Sequence, residues 1–321
     1  TLKQARIFQE MTEAQQQQML NELFLEAGSA YWEWYRAYLD VKVLNNAILL
    51  AEQRFEAVKQ SAETGERPTI DTLEANIQWQ NRSIQLQQSQ LTLNNAKAQL
   101  AVFLWQEGNI PLELEENTIP ASSDIGLADM GSMENIDSLI ISHPLFVQSQ
   151  LKLNDLEVQR RLQSEMLKPE LNLKYNALSG AAAYEDPLYN NNYTFGLQFS
   201  MPLFLRKERG DLRMTKVKLQ QGTQDLDNKK AEINAKINMA MNELNTNRQL
   251  ISLQEQTVEN YNNLLIGEKS LFNGGESSLF MVNSREMNFI QSQLKLNALL
   301  SKQFIAQLKL AYALGTLNET I

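Results

Sequence analysis

The sequence predicts a mainly α-helical chain in which one β-hairpin separates two long helical hairpins. Three observations support this fold class. The pair Gly65-Glu66 recurs 210 residues later as Gly275-Glu276, which indicates an internal repeat. All seven prolines fall between periodic segments, as expected for long uninterrupted helices. The apolar period changes from 3.6 to 2 in two stretches near the middle of the chain, which predicts a pair of strands.

The first helical hairpin is predicted over residues 1–106, with its turn at 64–69. Apolar residues recur every three or four positions across residues 1–64, so this segment is predicted to be one helix. At 1.5 Å per residue the helix would be about 90–95 Å long. Gly28 in its middle predicts close helix packing or a local bend.

The returning helix of this hairpin is predicted from about Ile70 to Gln106. Gly65 can end the preceding helix in the left-handed conformation. One apolar stripe of the returning helix advances largely in steps of seven, which predicts packing against neighbouring helices. Its members are Ile70, Leu73, Ile77, Ile84, Leu91, Ala98 and Trp105.

Residues 107–134 break the helical pattern with glycines and prolines and predict a lateral subdomain. The alternating run Leu112-Glu113-Leu114-Glu115 predicts one short strand within it. Residues 135–167 are predicted to be helical again, with Pro144 in a first helical turn. His143 has no partner His or Cys, so we expect a helix-start residue rather than a ligand or base.

Residues 168–203 predict a β-hairpin, because apolar and polar side chains alternate on both sides of a small polar loop. Each strand has roughly the 9–11 residues that cross a bilayer at a tilt. A large apolar face opposite a polar face is typical of an outer-membrane barrel, which one hairpin alone cannot close. A soluble half-buried hairpin shows the same alternation. The expected lipid-facing residues are Leu171, Leu173, Tyr175, Tyr193, Phe195, Leu197 and Phe199.

The second helical hairpin is predicted over residues 204–315, with its turn at 272–277 and a tail at 316–321. The helix over 204–272 carries two overlapping sevenfold ladders, and Gly315 is a plausible end of the returning helix. One ladder comprises Leu219, Leu226, Ile233 and Ala240, and the other Ile237, Leu244, Ile251, Val258 and Leu265.

Composition excludes several classes of function. A net charge of −9 without a basic cluster argues against nucleic-acid binding. With no Cys and one His, disulfides, zinc sites and a histidine metal centre are not expected, and no cofactor is predicted. The sequence contains no nucleophile–base set that would predict an enzyme. No apolar run approaches the ~20 residues of a membrane-spanning helix. Thr1 begins inside an amphipathic run, so we expect the sequence to be a piece of a longer precursor.

Short motifs spread over nearly the whole chain resemble the outer-membrane efflux protein family, the TolC-like exit ducts of Gram-negative bacteria. Each motif is weak alone, and the resemblance rests on their order, spacing and twofold repetition. They are Ala30-Tyr31-Trp32, Ala37-Tyr38-Leu39-Asp40, Gly65 with Asp71, Leu73 and Ala75, His143-Pro144-Leu145, Lys168-Pro169-Glu170-Leu171-Asn172-Leu173, Gly196-Leu197-Gln198-Phe199-Ser200-Met201-Pro202-Leu203-Phe204, Gly275-Glu276-Ser277-Ser278-Leu279 and Ala313-Leu314-Gly315-Thr316-Leu317-Asn318-Glu319.

This resemblance implies a homotrimer in the outer membrane with a periplasmic extension. The helical hairpins would form part of an α-barrel, residues 107–134 an equatorial subdomain, and the strands part of a shared β-barrel in lipid. It implies a periplasmic adaptor protein and an inner-membrane pump of RND or ABC type as partners. Gly65, Glu66, Gly275 and Glu276 would then contact the adaptor.

The resemblance also implies a narrow periplasmic end, which the family lines with aspartates six and nine residues after the second turn glycine. Those positions here are Met281 and Ser284, and the first repeat has Asp71 and Glu74. A carboxylate ring is therefore expected from the first repeat. Equally, these carboxylates can simply stabilise a helix N-terminus.

The function that follows is passive conduction of drugs, metals or secreted proteins, which share this duct. The alternative is a soluble coiled-coil adaptor or scaffold of the cell envelope, which would not need the strand pair. An enzyme on a helical stalk is a third class, without candidate catalytic residues.

Overall fold

The computed structural model describes residues 2–107, 110–115, 117–121, 136–177, 193–201 and 204–317. Its elements are α1 (Leu2–Glu63), α2 (Thr69–Ala101), β1 (Trp105–Gln106), β2 (Ile110–Pro111), α3 (Ile136–Ser142), α4 (Pro144–Glu165), β3 (Glu170–Ala177), β4 (Tyr193–Ser200), α5 (Arg206–Asn273) and α6 (Leu279–Leu314). They divide into two compact units, Thr1–Gln16 with Pro144–Glu232, and Gln17–His143 with Ile233–Ile321. None of the described helices has an apolar stretch long enough to span a membrane.

Helices α1, α5 and α6 begin and end within about two residues of the predicted positions. Helix α6 starts after Ser278, whose side chain accepts a hydrogen bond from the Met281 amide, and it ends at Gly315 with a φ of 76°. Both are ordinary helix-capping arrangements, and the left-handed glycine confirms the predicted helix end. Periodicity was therefore sufficient to predict these elements.

The end of α2 and the strand after it differ from the prediction. Helix α2 ends at Ala101 rather than Gln106, because its last turn tightens into bonds between amides and carbonyls three residues apart. Trp105–Gln106 instead pairs antiparallel with Ile110–Pro111. Residues 112–115, predicted to be a strand, are irregular. The Leu112 amide does continue the pairing with the Leu104 carbonyl, at 2.9 Å. The larger part of the predicted subdomain, residues 122–134, lies outside the described residues.

In the unit Gln17–His143 with Ile233–Ile321, α1 packs against both α2 and α6. Trp32 of α1 stacks on Phe304 of α6 with ring centroids 3.8 Å apart. Gly28 confirms the predicted close approach of helices, since an added Cβ would lie 2.6 Å from a Leu308 methyl carbon. On the other side of α1, Trp34 and Ala37 form a buried cluster with Ala96 and Leu100 of α2.

The sevenfold stripe of α2 lies on the surface of the chain. The helix buries Ala75, Arg82, Ala96 and Leu100 instead. The apolar side chains of the stripe are 45–71% exposed, namely Ile70, Leu73, Ile77, Ile84, Leu91 and Trp105. The expected packing of this stripe against a neighbour is thus not made by any residue that the structure describes.

In the unit Thr1–Gln16 with Pro144–Glu232, strands β3 and β4 form an antiparallel hairpin. Helix α4, which leads to β3, packs against α5 where Gly222 leaves room for Leu153 and Leu156. The amide of Gln4 in α1 donates a hydrogen bond to Asp155 of α4 at 3.1 Å. Helices from three parts of the sequence therefore meet in this unit.

Candidate functional site: the hairpin turns and the β-hairpin face

The turns of the two helical hairpins have the same backbone geometry. Gly65 and Gly275 both have a φ of 81°. In each turn the glycine N–H donates to the carbonyl three residues earlier at 3.1 Å, and the following glutamate N–H donates to the carbonyl five residues earlier at 2.9 Å. This is the Schellman helix ending, which requires a left-handed residue. Gly65, Glu66, Gly275 and Glu276 are all exposed and thus available to a partner.

The two turns lie at the same end of their unit. The guanidinium of Arg67 lies over the ring of Phe272, 4.3 Å from its centroid. Beneath this contact, side chains of all four helices form one apolar cluster. Its members are Val58, Ala75 and Leu279, with Phe55 and Phe272 packed against them. The repeat seen in the sequence is therefore a pair of adjacent, equivalent turns.

The proposed constriction residues lie just beyond these turns, each at least partly exposed. A carboxylate oxygen of Asp71 is 3.8 Å from an Arg67 nitrogen. Glu74 accepts a hydrogen bond of 3.2 Å from the amide of Asn283. The structure thus brings Glu74 against α6, one residue from Ser284. In the second repeat the backbone N–H of Met281 donates a hydrogen bond to the Ser278 side chain. The position equivalent to Asp71 therefore lies in the first turn of α6.

A buried polar network close to the turns was not predicted from the sequence. Arg54 of α1 makes a two-pronged ion pair with Glu286 of α6, at 2.7 and 2.9 Å, and donates to Asn283 at 2.8 Å. Arg82 of α2 is also buried, and this burial lowers its pKa, although the charge of Glu286 opposes the shift. The sequence did contain one sign of this network. Glu286 is a charged residue at helical spacing from Val282 and Ile290, within an apolar stripe.

The predicted apolar face of the β-hairpin is present and uncovered. Cross-strand pairing places the predicted residues opposite one another, and the polar residues pair on the other face. The apolar pairs are Leu171 with Phe199, Leu173 with Leu197, Tyr175 with Phe195, and Ala177 with Tyr193. The first six of these side chains are 63–66% exposed. The side chain of Tyr193 lies outside the described part of the structure.

His143 is buried at the junction of α3 and α4. Burial lowers the pKa of His143, and the charge of Lys236 adds to this, whereas a hydrogen bond with the Tyr312 backbone opposes it. Among the described residues, no group of three or more His, Asp or Glu side chains could hold a metal ion. A structural role for His143 agrees with these contacts.

Known proteins share both sequence signature and fold with this chain. The family model described as "Outer membrane efflux protein" matches residues 135–316. The Campylobacter jejuni CmeC outer membrane channel has a TM-score of 0.78 at 15% identity, over 98% of this chain and 67% of that one. The outer-membrane channel OprN has a TM-score of 0.80 at 14% identity, over 98% of this chain and 71% of that one. The outer membrane protein VceC from Vibrio cholerae has a TM-score of 0.77 at 17% identity, over 97% of this chain and 74% of that one.

At these identities the solved structures establish the fold alone, and no curated protein sequence matches significantly. The family match covers more than half of the chain and confirms the resemblance found in its motifs. The fold is the helical part of such a channel. Members are channels rather than enzymes and lie in the outer membrane of Gram-negative bacteria with a periplasmic extension. The chain therefore belongs to the outer membrane efflux protein family.

Proposed function

We propose that the chain is a subunit of the exit duct of a tripartite efflux or type I secretion system. The duct conducts substrates passively across the periplasm and outer membrane. The single observation that carries this proposal is the uncovered apolar face of the hairpin formed by β3 and β4. A contiguous apolar patch of this kind marks a surface that contacts lipid or protein.

The hairpin supplies two strands of a β-barrel shared with other copies. Lipid forbids open sheet edges, so two strands can span the membrane only within a closed barrel. The side chains that face lipid are Leu171, Leu173, Tyr175, Tyr193, Phe195, Leu197 and Phe199. The opposite face, with Asn172, Lys174 and Gln198, faces the lumen and keeps it polar.

The helical hairpins continue the duct as a homotrimer, and their turns meet a periplasmic adaptor. Gly65, Glu66, Gly275 and Glu276 support this role because they present two equivalent exposed loops at one end of their unit. An inner-membrane pump of RND or ABC type would provide the driving force, since the chain itself only conducts.

Asp71 and Glu74, with Met281 and Ser284 from the second repeat, form the narrow periplasmic end of the duct. The carboxylates of the first repeat support a cation-attracting ring because they lie within two turns of an exposed loop and remain partly exposed. Their neighbours Arg67 and Asn283 hold them in position.

The test places a charge on each face of β4 in turn. Leu197→Arg introduces a cation on the proposed lipid face, which costs about 2–4 kcal/mol at the membrane midplane. Gln198→Arg introduces the same cation on the opposite face of the same strand. We expect Leu197→Arg to abolish outer-membrane trimers and Gln198→Arg to keep them, as measured by membrane fractionation and native mass spectrometry of the full chain.

Equal tolerance of both substitutions would contradict a lipid-facing hairpin and favour the soluble coiled-coil scaffold. Loss of trimers in both variants would contradict the assignment of the Gln198 face to a polar lumen. The two substitutions lie one position apart in the same strand. A general effect of the added charge would therefore be equal in both variants and could not explain a difference between them.

A further inference from the structure

The first thirteen residues of α5 carry a concentrated positive charge in an acidic chain. Six of the residues 206–218 are Lys or Arg and two are Asp or Glu, whereas the whole chain has a net charge of −9. Residues of other types separate most of these cations, so they form no continuous run in the sequence. The helix brings four of them onto one face, here called the basic stripe, which comprises Arg206, Arg209, Arg213 and Lys216.

The basic stripe is exposed and its charges are not neutralised nearby. Its members follow one another at spacings of three, four and three residues, so they lie within an arc of about 80° and extend about 15 Å along the helix. All four residues are exposed, and none makes an ion pair with a residue that the structure describes. The two acidic residues of the segment, Glu208 and Asp211, are half-buried on the opposite side of the helix. The stripe is therefore available to an external anion.

The basic stripe begins next to the apolar face of the β-hairpin. Strand β4 ends at Ser200 and α5 starts at Arg206, within the same compact unit. At this end of the hairpin the apolar pair of Leu171 with Phe199 is the last but one, so the apolar face reaches almost to the helices. Where that face lies in hydrocarbon, the start of α5 lies close to the lipid headgroups, a layer about 5–8 Å thick.

Large apolar side chains are exposed at the same junction. Phe204, two residues before α5, is 85% exposed, more than any other large apolar side chain in the described part of the chain. Met201, which lies between Phe204 and the end of β4, is 51% exposed. Large apolar side chains beside clustered cations are typical of a surface that contacts an anionic membrane interface. The exposed phenylalanine therefore favours a lipid surface over an acidic protein or a free phosphate ion.

The other helix that leads to the β-hairpin carries no excess charge. Residues 157–170, from the end of α4 to the start of β3, have three basic and three acidic side chains. Arg160 and Arg161 both pair with Glu157, and Lys168 pairs with Glu165 at 2.8 Å. Attraction for an anion therefore centres on the start of α5 rather than on the whole junction.

We propose that the basic stripe binds the headgroups of anionic phospholipids, such as phosphatidylglycerol, in the periplasmic leaflet of the membrane. The inference rests on the lipid-facing hairpin of the proposed function and adds the class of lipid that the junction selects. A guanidinium group can donate two parallel hydrogen bonds to one phosphate. Long basic side chains reach the headgroups while their helix stays in water. The stripe thus holds the start of α5 at the membrane surface.

Quenching of tryptophan emission by brominated lipid measures this selection in the full chain. The variant Phe204→Trp is reconstituted in phosphatidylcholine bilayers that contain a fixed fraction of brominated phosphatidylglycerol or brominated phosphatidylcholine. Emission of the four native tryptophans is subtracted with the protein that lacks the reporter. One Lys or Arg near an anionic surface strengthens binding about fivefold. We expect the quenching to show at least about a fivefold preference for phosphatidylglycerol, which weakens as the salt concentration is raised.

Charge removal is compared with charge retention at two positions of the basic stripe. In the reporter background, Arg209→Gln with Arg213→Gln should remove most of the preference for phosphatidylglycerol, whereas Arg209→Lys with Arg213→Lys should keep most of it. The matched control is Lys229→Gln with Lys230→Gln, which removes the same charge about 34 Å along α5 from its start. This distance exceeds the range of screened headgroup charge, so the control should leave the preference unchanged. Met201→Trp is a second reporter in case Phe204→Trp prevents assembly.

Equal quenching by the two lipids, or a preference that survives Arg209→Gln with Arg213→Gln, would overturn the proposal and favour an acidic protein surface as the partner. Planar-bilayer conductance of the same variants separates this failure from failure of the exit duct. Current steps without a lipid preference would leave the duct intact, whereas the absence of steps from every variant would overturn both. An altered ion selectivity of Arg209→Gln with Arg213→Gln, at unchanged lipid preference, would assign the stripe to the lumen and overturn lipid binding.

Discussion

Glu286 is a buried carboxylate that interacts with two arginine side chains near the hairpin ends. Its side chain is 5% exposed and accepts hydrogen bonds from both terminal nitrogens of Arg54. The buried Arg82 lies close enough for the charge of Glu286 to affect its pKa. The partly buried guanidinium of Arg54 and the buried guanidinium of Arg82 therefore face one buried carboxylate. Removing one partner of a buried ion pair leaves the other charge uncompensated, which typically costs about 3–5 kcal/mol.

We expect Glu286→Gln to destabilise the protein by about this amount and to lower its thermal unfolding temperature, followed by circular dichroism. The control is Glu243→Gln, which removes the exposed pair with Lys309 and should cost no more than about 1 kcal/mol. Equal shifts in the two variants would show that the buried network contributes no more than a surface pair.

His143 predicts a pH dependence of stability. Burial holds its pKa below the ordinary value of 6.5, so the folded chain keeps the imidazole neutral where the unfolded chain would take up a proton. Stability is therefore full above about pH 6.5 and falls as the pH drops through the lowered value. His143→Gln retains a donor for the Tyr312 backbone but cannot titrate.

The measurement is the unfolding temperature of both proteins between pH 7.5 and 5. We expect the wild-type protein to lose more stability than His143→Gln over this range. Carboxylates titrate equally in both, so parallel curves would remove His143 as a source of pH sensitivity.

At the scale of helices and strands, most elements could be predicted from the regular spacing of apolar residues. The ends of α1, α5 and α6 and the facing of the β-hairpin follow from apolar spacing and left-handed glycines. The end of α2 was missed because the β1–β2 ladder depends on hydrogen bonds across a turn, which local propensity does not encode. The network around Glu286 was missed for a similar reason, since its partners are more than 200 residues apart in sequence.

The closeness of α1 and α6 gives a prediction at this scale. Gly28→Ala gains up to about 1 kcal/mol in helix propensity but places its Cβ against the buried Leu308, where overpacking costs about 1–3 kcal/mol. We expect a net loss of unfolding free energy. Gly210→Ala in α5 meets no heavy atom within 4 Å and should gain stability. Thermal unfolding shifts of the same sign in both variants would contradict close packing at Gly28.

For the whole molecule, the proposed constriction predicts ion selectivity. Asp71→Asn with Glu74→Gln removes two carboxylates per copy near the turns while keeping the side-chain size, so cations should lose their advantage in the pore. The measurement is the reversal potential across a planar bilayer under a salt gradient. Unchanged selectivity would return these residues to the simpler role of stabilising a helix N-terminus.

Conductance of the full chain in a planar bilayer tests most directly whether the protein forms a membrane duct. A duct formed by several copies, with the β-hairpin in lipid, predicts discrete current steps from purified trimers and none from Leu197→Arg. A protein that stays in solution without detergent and produces no current steps would contradict a membrane duct and favour a helical scaffold.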